Sequence, residues 1–163
     1  METPACRAVS EGANEIVIYE GKAAEASHKE LFQLADSHYF PAGPDIVQSL
    51  ASFVTGDLAK LHVAAGWETM LRVALWTSRR PLLHDVLALL KKTGIGEAEL
   101  SPFRSADIND LFPWLYYGKR FEILRKICNK AKARAEAGLE KKKLLVYCHL
   151  VSDETGRIVA SSL

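Results

Sequence analysis

No stretch of this chain supplies the roughly 18 consecutive apolar residues that a membrane-spanning helix needs, so a membrane is not an expected partner. Cysteine is scarce. Cys6, Cys128 and Cys148 are an odd, scattered set, which argues against a disulfide framework and for a reducing compartment. The opening METPACRAVSEGANE has no basic start followed by an apolar core, so no secretory leader is read there. The expected address is intracellular, cytoplasmic or nuclear. An excess of one charge is also missing: 21 Lys and Arg stand against 20 Asp and Glu, a formal net charge of +1. The phosphate-binding fingerprints GxxxxGK[ST] and strand-linked GxGxxG are absent, as is the GxSxG of serine hydrolases. No internal repeat, low-complexity block or run of carboxylates appears. What is there is ordinary for a globular protein: 163 residues, 48% apolar and 25% charged. The expected layout is a flexible tail over residues 1–13 and one domain over 14–163.

Residues 14–19 (NEIVIY) are β-branched and read as a short strand closed by Glu20-Gly21. The pattern then turns helical from Lys22 to His38, with Ala24, Leu31, Leu34, Ala35 and His38 on one face. Pro44 suits the first turn of a second helix, whose Ile46, Val47, Leu50, Ala51 and Val54 point inward. Thr55-Gly56-Asp57 punctuates, with Asp57 as the expected N-cap of a long apolar helix from Leu58 to Ser78. Pro81 opens another helix, LLHDVLALLKK, which Gly94 ends. Short helical turns follow around residues 97–100 and 105–111. Lys119 to about Lys142 reads as one long helix. Residues 144–151 (LLVYCHLV) and 157–160 read as two strands around the turn Asp153-Glu154-Thr155-Gly156. The expected fold is α+β and predominantly helical, a bundle of five to seven helices with a small antiparallel sheet formed by the N-terminal strand and a C-terminal hairpin.

The near-neutral total hides an uneven layout. Residues 1–118 carry 10 basic and 15 acidic side chains, and residues 119–143 carry 10 basic and 3 acidic. On a helical wheel Lys119, Lys126, Lys130, Arg134 and Lys141 fall in one arc, with Ile123 among them. Phe121, Leu124, Cys128, Ala131, Ala135 and Leu139 fall on another. The helix should dock by the apolar stripe and turn the basic arc outward. Phe103, Phe112, Trp114, Tyr116, Tyr117 and Phe121 lie just ahead of or at its start. Such rings serve as anchors of a protein interface, as stacking platforms for bases, or as a core wedge.

The segment Leu89-Leu90-Lys91-Lys92-Thr93-Gly94-Ile95-Gly96-Glu97-Ala98 resembles the hairpin of helix-hairpin-helix DNA-binding modules. That resemblance implies backbone N–H groups at Gly94 and Gly96 approaching a phosphate, with Lys91 and Lys92 beside them. Lys92 stands where that family has an apolar residue, and Pro102 cuts the second helix short. The alternative is a glycine helix stop. Leu61 to Ala65 (LHVAA) is similar to the first-helix signature of ankyrin repeats, with no second copy.

The five histidines, His28, His38, His62, His84 and His149, show no metal-ligand spacing, and each reads as a surface or capping group. Cys148 and His149 are adjacent in a strand and so point to opposite faces, with Cys148 in the core. No cofactor, metal or catalytic set is expected from these spacings. The functional expectation is a non-catalytic binding or adaptor protein that engages an acidic protein partner through Trp114, Tyr116, Tyr117, Lys119, Lys126, Lys130 and Arg134. The alternative is nucleic-acid binding through Lys91, Lys92, Gly94 and Gly96 together with the basic helix. A third reading is an enzyme whose site gathers scattered residues, with His149, Cys148 and His84 the first candidates.

Overall fold

The computed structural model of the chain describes residues 4–51, 58–139 and 144–162. The run Glu15–Tyr19 (β1) has Ile16 and Ile18 on one side and Glu15, Val17 and Tyr19 on the other, the alternation of a strand packed on both faces. It does not sit at a sheet edge. It lies between Tyr39–Pro41 (β2) and Lys60–Ala65 (β3), parallel to both. Leu145–Val151 (β4) adds to β3 in parallel, and Ile158–Ser161 (β5) closes the far edge antiparallel to β4. The order is β2-β1-β3-β4-β5.

This overturns the expected small antiparallel sheet. Among the described residues only the β4–β5 pairing is antiparallel, and the N-terminal strand pairs with β2 and β3 instead. The cause is β3. Its Leu61-His62-Val63-Ala64-Ala65 is apolar almost without a break, because both faces of a central parallel strand are covered. Such a run carries no periodicity that separates it from a buried helix. The expected helix from Leu58 to Ser78 is therefore two elements, β3 and Trp67–Leu75 (α4), divided at Gly66. β2 is three residues long and left no pattern at all. The Thr55-Gly56-Asp57 punctuation falls outside the described residues.

Eight α-helices occur among the described residues, not five to seven. Pro4–Ser10 (α1), Ile46–Ala51 (α3), α4, Leu83–Lys92 (α5), Glu97–Leu100 (α6), Leu111–Tyr117 (α7) and Phe121–Gly138 (α8) contribute to one large core. That core lies on the sheet face made by Ile16, Ile18, Leu61, Val63, Val146, Cys148 and Leu150. α1 occupies part of the segment expected as a tail, and its Ala5 and Val9 are buried. On α8 the buried stripe is Ile123, Leu124, Ile127, Cys128, Ala131 and Ala135, so Ile123 belongs inside and Phe121 is exposed.

Lys22–Phe32 (α2) packs on the opposite face of the sheet. It follows β1 through Gly21, whose φ of +86° is a backbone region that glycine enters without a Cβ clash. It ends early, at Gln33 in the left-handed conformation, rather than at His38. Its buried side chains are Ala24, Ser27 and His28, one stripe at helical spacing. Ser27 Oγ accepts the Ile158 N–H at 3.0 Å, which ties α2 to β5. The apolar cluster on this side is small: Ala24, Ala64 and Val151, with Tyr19 and Ile158 at its margin. Between α2 and the sheet, much of the remaining interior is polar aromatic.

Candidate metal centre

Three histidines come together in that layer. His28 projects from α2, His62 from β3 and His149 from β4. His62 and His149 reach the same face because His62 registers with Tyr147 on the neighbouring strand, and His149 is two residues further along. All three are buried, at 0%, 3% and 2% exposure. His28 Nε2 lies 3.0 Å from His62 Nδ1, which lies 3.1 Å from His149 Nε2. The three nitrogens fall within 4.8 Å of one another.

Each ring is held from behind. His62 Nε2 is 2.9 Å from a Glu15 carboxylate oxygen, His28 Nδ1 is 2.7 Å from the Tyr39 hydroxyl, and His149 Nδ1 is 2.8 Å from the Ser161 hydroxyl. A carboxylate only accepts, so the proton of neutral His62 sits on Nε2 and its Nδ1 lone pair faces inward. Tyr39 and Ser161 can each accept from the ring they touch, which turns the other two lone pairs to the same point. The outer partners thus give a tyrosine, a carboxylate and a serine as the orienting shell of three imidazoles, the arrangement that fixes tautomer and ring plane around a bound metal.

The electrostatics favour the neutral, ligating form. Burial lowers the His28 and His149 imidazoles to about 3, and the neighbouring imidazoles push the same way. Burial also lowers His62, while the hydrogen bond to Glu15 opposes it. The His62–Glu15 contact is accordingly a hydrogen bond from a neutral ring, not an ion pair. Burial is the main cause of the raised Tyr39 hydroxyl pKa, so that group stays protonated.

Without a cation the cluster is awkward. If His28 and His149 both carry their protons on Nε2, two N–H donors share the single in-plane lone pair of His62 Nδ1. If they do not, inward lone pairs face one another in a low-dielectric interior. One metal ion satisfies all three. Tetrahedral coordination with metal–nitrogen bonds of 2.0–2.1 Å separates ligand nitrogens by about 3.3 Å, close to the two short distances here.

His38 and His84 lie outside the cluster. His38 Nδ1 donates to the Glu15 carbonyl at 2.7 Å, and exposed His84 meets Asp85 at 3.1 Å. Cys148 is in the core on the other side of the sheet. Burial drives its thiol pKa well up, so it is no partner for His149.

The residues expected to form a partner surface are spread over α7, α8 and the turn between them, where Lys119 sits at φ +57° ahead of the helix it was expected to begin. Trp114 is half-buried against Phe103, with ring centres 4.5 Å apart, and Tyr116 packs on Phe112. Tyr117 is exposed and bonds Glu154. Lys126 Nζ donates to the Thr93 carbonyl at 2.9 Å. Lys119, Lys130 and Arg134 are exposed and enter no ion pair among the described residues. At the glycine hairpin, Lys91 pairs with Glu97, Lys92 is exposed, and the Gly96 N–H points to Glu99 at 3.4 Å. Gly94 takes φ +113° as a helix stop.

The crevice at the carboxyl ends of β1 and β3, where the strand order reverses, is the usual ligand position in an open α/β sheet. Here exposed Glu20 lines it. Its carboxylate accepts the Gly66 N–H at 3.0 Å and the Thr69 hydroxyl at the start of α4, where an anionic ligand would otherwise sit.

Sequence reasoning missed the histidine cluster because its members are 34 and 87 residues apart, and β3 was read as helix. Two signals were available. His28 shares the helix stripe of Ala24, and His149 holds an inward position in an otherwise apolar strand. Comparison of the chain with protein-family models, with curated proteins and with solved structures finds no match, so the functional reading rests on this geometry.

Proposed function

We propose that this protein binds one transition-metal ion through His28 Nε2, His62 Nδ1 and His149 Nε2, and that zinc is the natural candidate. The observation that carries the reading is the convergence of three buried imidazole nitrogens whose outer nitrogens are each engaged by a separate partner. Imidazole donors suit zinc, copper, nickel and iron, and zinc accepts a three-histidine set without a preferred d-electron geometry. Neutral rings at physiological pH bind without first losing protons. The test is titration of the chelator-stripped protein with Zn²⁺, followed by metal analysis after gel filtration. The expected result is one equivalent per chain, lost in His62→Ala and His149→Ala. A wild-type chain that retains no more metal than the variants overturns the reading.

A second reading attaches to α8. The exposed Lys130 and Arg134, without acidic partners among the described residues, support a docking surface for an acidic protein, with Lys119 and Tyr117 at its margin. A pull-down with wild-type and Lys130→Glu/Arg134→Glu protein separates the cases. Capture of an acidic protein that the variant loses supports it. Copurifying nucleic acid, with affinity falling about 0.9 log units per log unit of salt for each phosphate contacted, favours the alternative instead.

A further inference from the structure

The three-histidine centre leaves a fourth position, and the side chain that covers it is Phe32. Among the described residues no fourth histidine, cysteine or carboxylate joins the cluster. Glu15 is the nearest acid and is spent on the outer nitrogen of His62. The Phe32 ring centre lies 4.3 Å from that of His28, 5.2 Å from that of His62 and 5.0 Å from that of His149. The imidazole centres are themselves 4.7, 5.0 and 5.4 Å apart. The four rings therefore mark the corners of a nearly regular tetrahedron, with Phe32 where a fourth ligand would approach.

Phe32 is not locked in place. It is the last residue of α2, directly before the left-handed Gln33, and 42% of its surface meets solvent. Leu31 beside it is 62% exposed. Phe32 contacts all three imidazoles and also meets solvent, so turning its side chain outward uncovers them. The charge balance indicates what would enter. Three neutral imidazoles bring no charge to offset that of a divalent ion, and Glu15, the carboxylate hydrogen-bonded to the cluster, acts through His62 and does not reach the metal position itself.

Resting on the metal reading above, we propose that the fourth coordination position takes a small exogenous ligand, water ionising to hydroxide or a small monovalent anion, and that Phe32 is its movable cover. This makes the centre one of the open, three-ligand kind, whose bound water is acidified toward neutrality, and not a closed structural site.

The probe is azide added to Co²⁺-loaded protein, followed by the visible d–d spectrum, with Phe32→Ala and Phe32→Leu compared with wild type. Azide should shift the cobalt bands in all three chains. Half-saturation should occur at about three- to tenfold lower azide in Phe32→Ala, because the stacked ring no longer has to be displaced. Phe32→Leu, which keeps an apolar side chain at the helix end, should fall between and serves if the alanine variant unfolds. Cobalt spectra that ignore azide in every chain overturn the open position. Equal azide sensitivity in every chain overturns the role of Phe32. A wild-type protein that takes up no Co²⁺ overturns the metal reading itself, a result visible before azide is added.

Discussion

Glu15 decides which nitrogen of His62 faces the cluster. Its carboxylate accepts a hydrogen bond from Nε2–H, and the Nδ1 lone pair is left to point inward. Glu15→Gln preserves an acceptor oxygen but removes the charge that makes the ring a stronger base. Zinc affinity should fall about 10- to 100-fold while the fold persists, as measured by competition with a chromophoric chelator. The same side chains set an acid limit on the metal-free protein. His28 and His149 titrate near 3 in the native state, below the ordinary histidine value of about 6.5 in the unfolded chain. Below about pH 6.5 the unfolded chain therefore takes up protons that the native protein refuses. The stability gained by keeping these rings neutral is fully present above that pH and is lost as pH falls toward the native value. Urea unfolding across this range should show the decline, and a flat profile would mean that the rings take up protons in the folded state. None of this is legible from the sequence, because a histidine 34 residues from its cluster partner shows no sign of which nitrogen that partner will meet.

Among the elements, α8 was the most legible and α2 the least. In α8, Leu124, Cys128, Ala131 and Ala135 recur at helical spacing and are all buried, while basic residues cover much of the remainder. Ile123 falls in the basic arc of the wheel yet is buried, because the buried stripe also takes in Ile123 and Ile127 beside Leu124 and Cys128. The last turn of α8 is pinned by Trp76, itself at a positive φ of 52°. A Cβ at Gly138 would lie 2.5 Å from Trp76 Cζ2 and 2.8 Å from its Nε1. Gly138→Ala gains helix propensity, yet it must displace an indole ring. The expected result is a net loss of about 1–2 kcal/mol in urea unfolding, with a shift in tryptophan emission. α2 was misjudged at its end. Its pattern of Leu31, Leu34 and Ala35 suggested continuation, but the sheet face it covers holds polar aromatics. The buried stripe stops at His28, and Leu31 is left in solvent.

Across the whole molecule, the sheet face under the helical layer carries most of the apolar core, and the face under α2 carries the chemistry. Fixing the three histidines requires α2, β3 and β4 at once, so metal binding and folding are linked. Zinc at about 100 times its dissociation constant should add about 2.7 kcal/mol and raise the melting temperature by about 5–10 °C. Differential scanning calorimetry of wild type should show the shift, and His149→Ala should not. Local physics by itself determined several things about this protein: the strand at β1, the β4–β5 hairpin, the course of α8, the burial of Cys148, and, among the described residues, the absence of any helix long and apolar enough to cross a membrane. Each follows from residues close together in the chain, through side-chain periodicity, turn chemistry or run length. Tertiary structure alone decided that Leu61–Ala65 is a strand, that β1 is internal to the sheet and that the sheet is mainly parallel, because parallel pairing joins segments with no short connection between them. It also decided the histidine centre, since the register of β4 on β3 and the packing of α2 across both are what bring three distant imidazoles to one point.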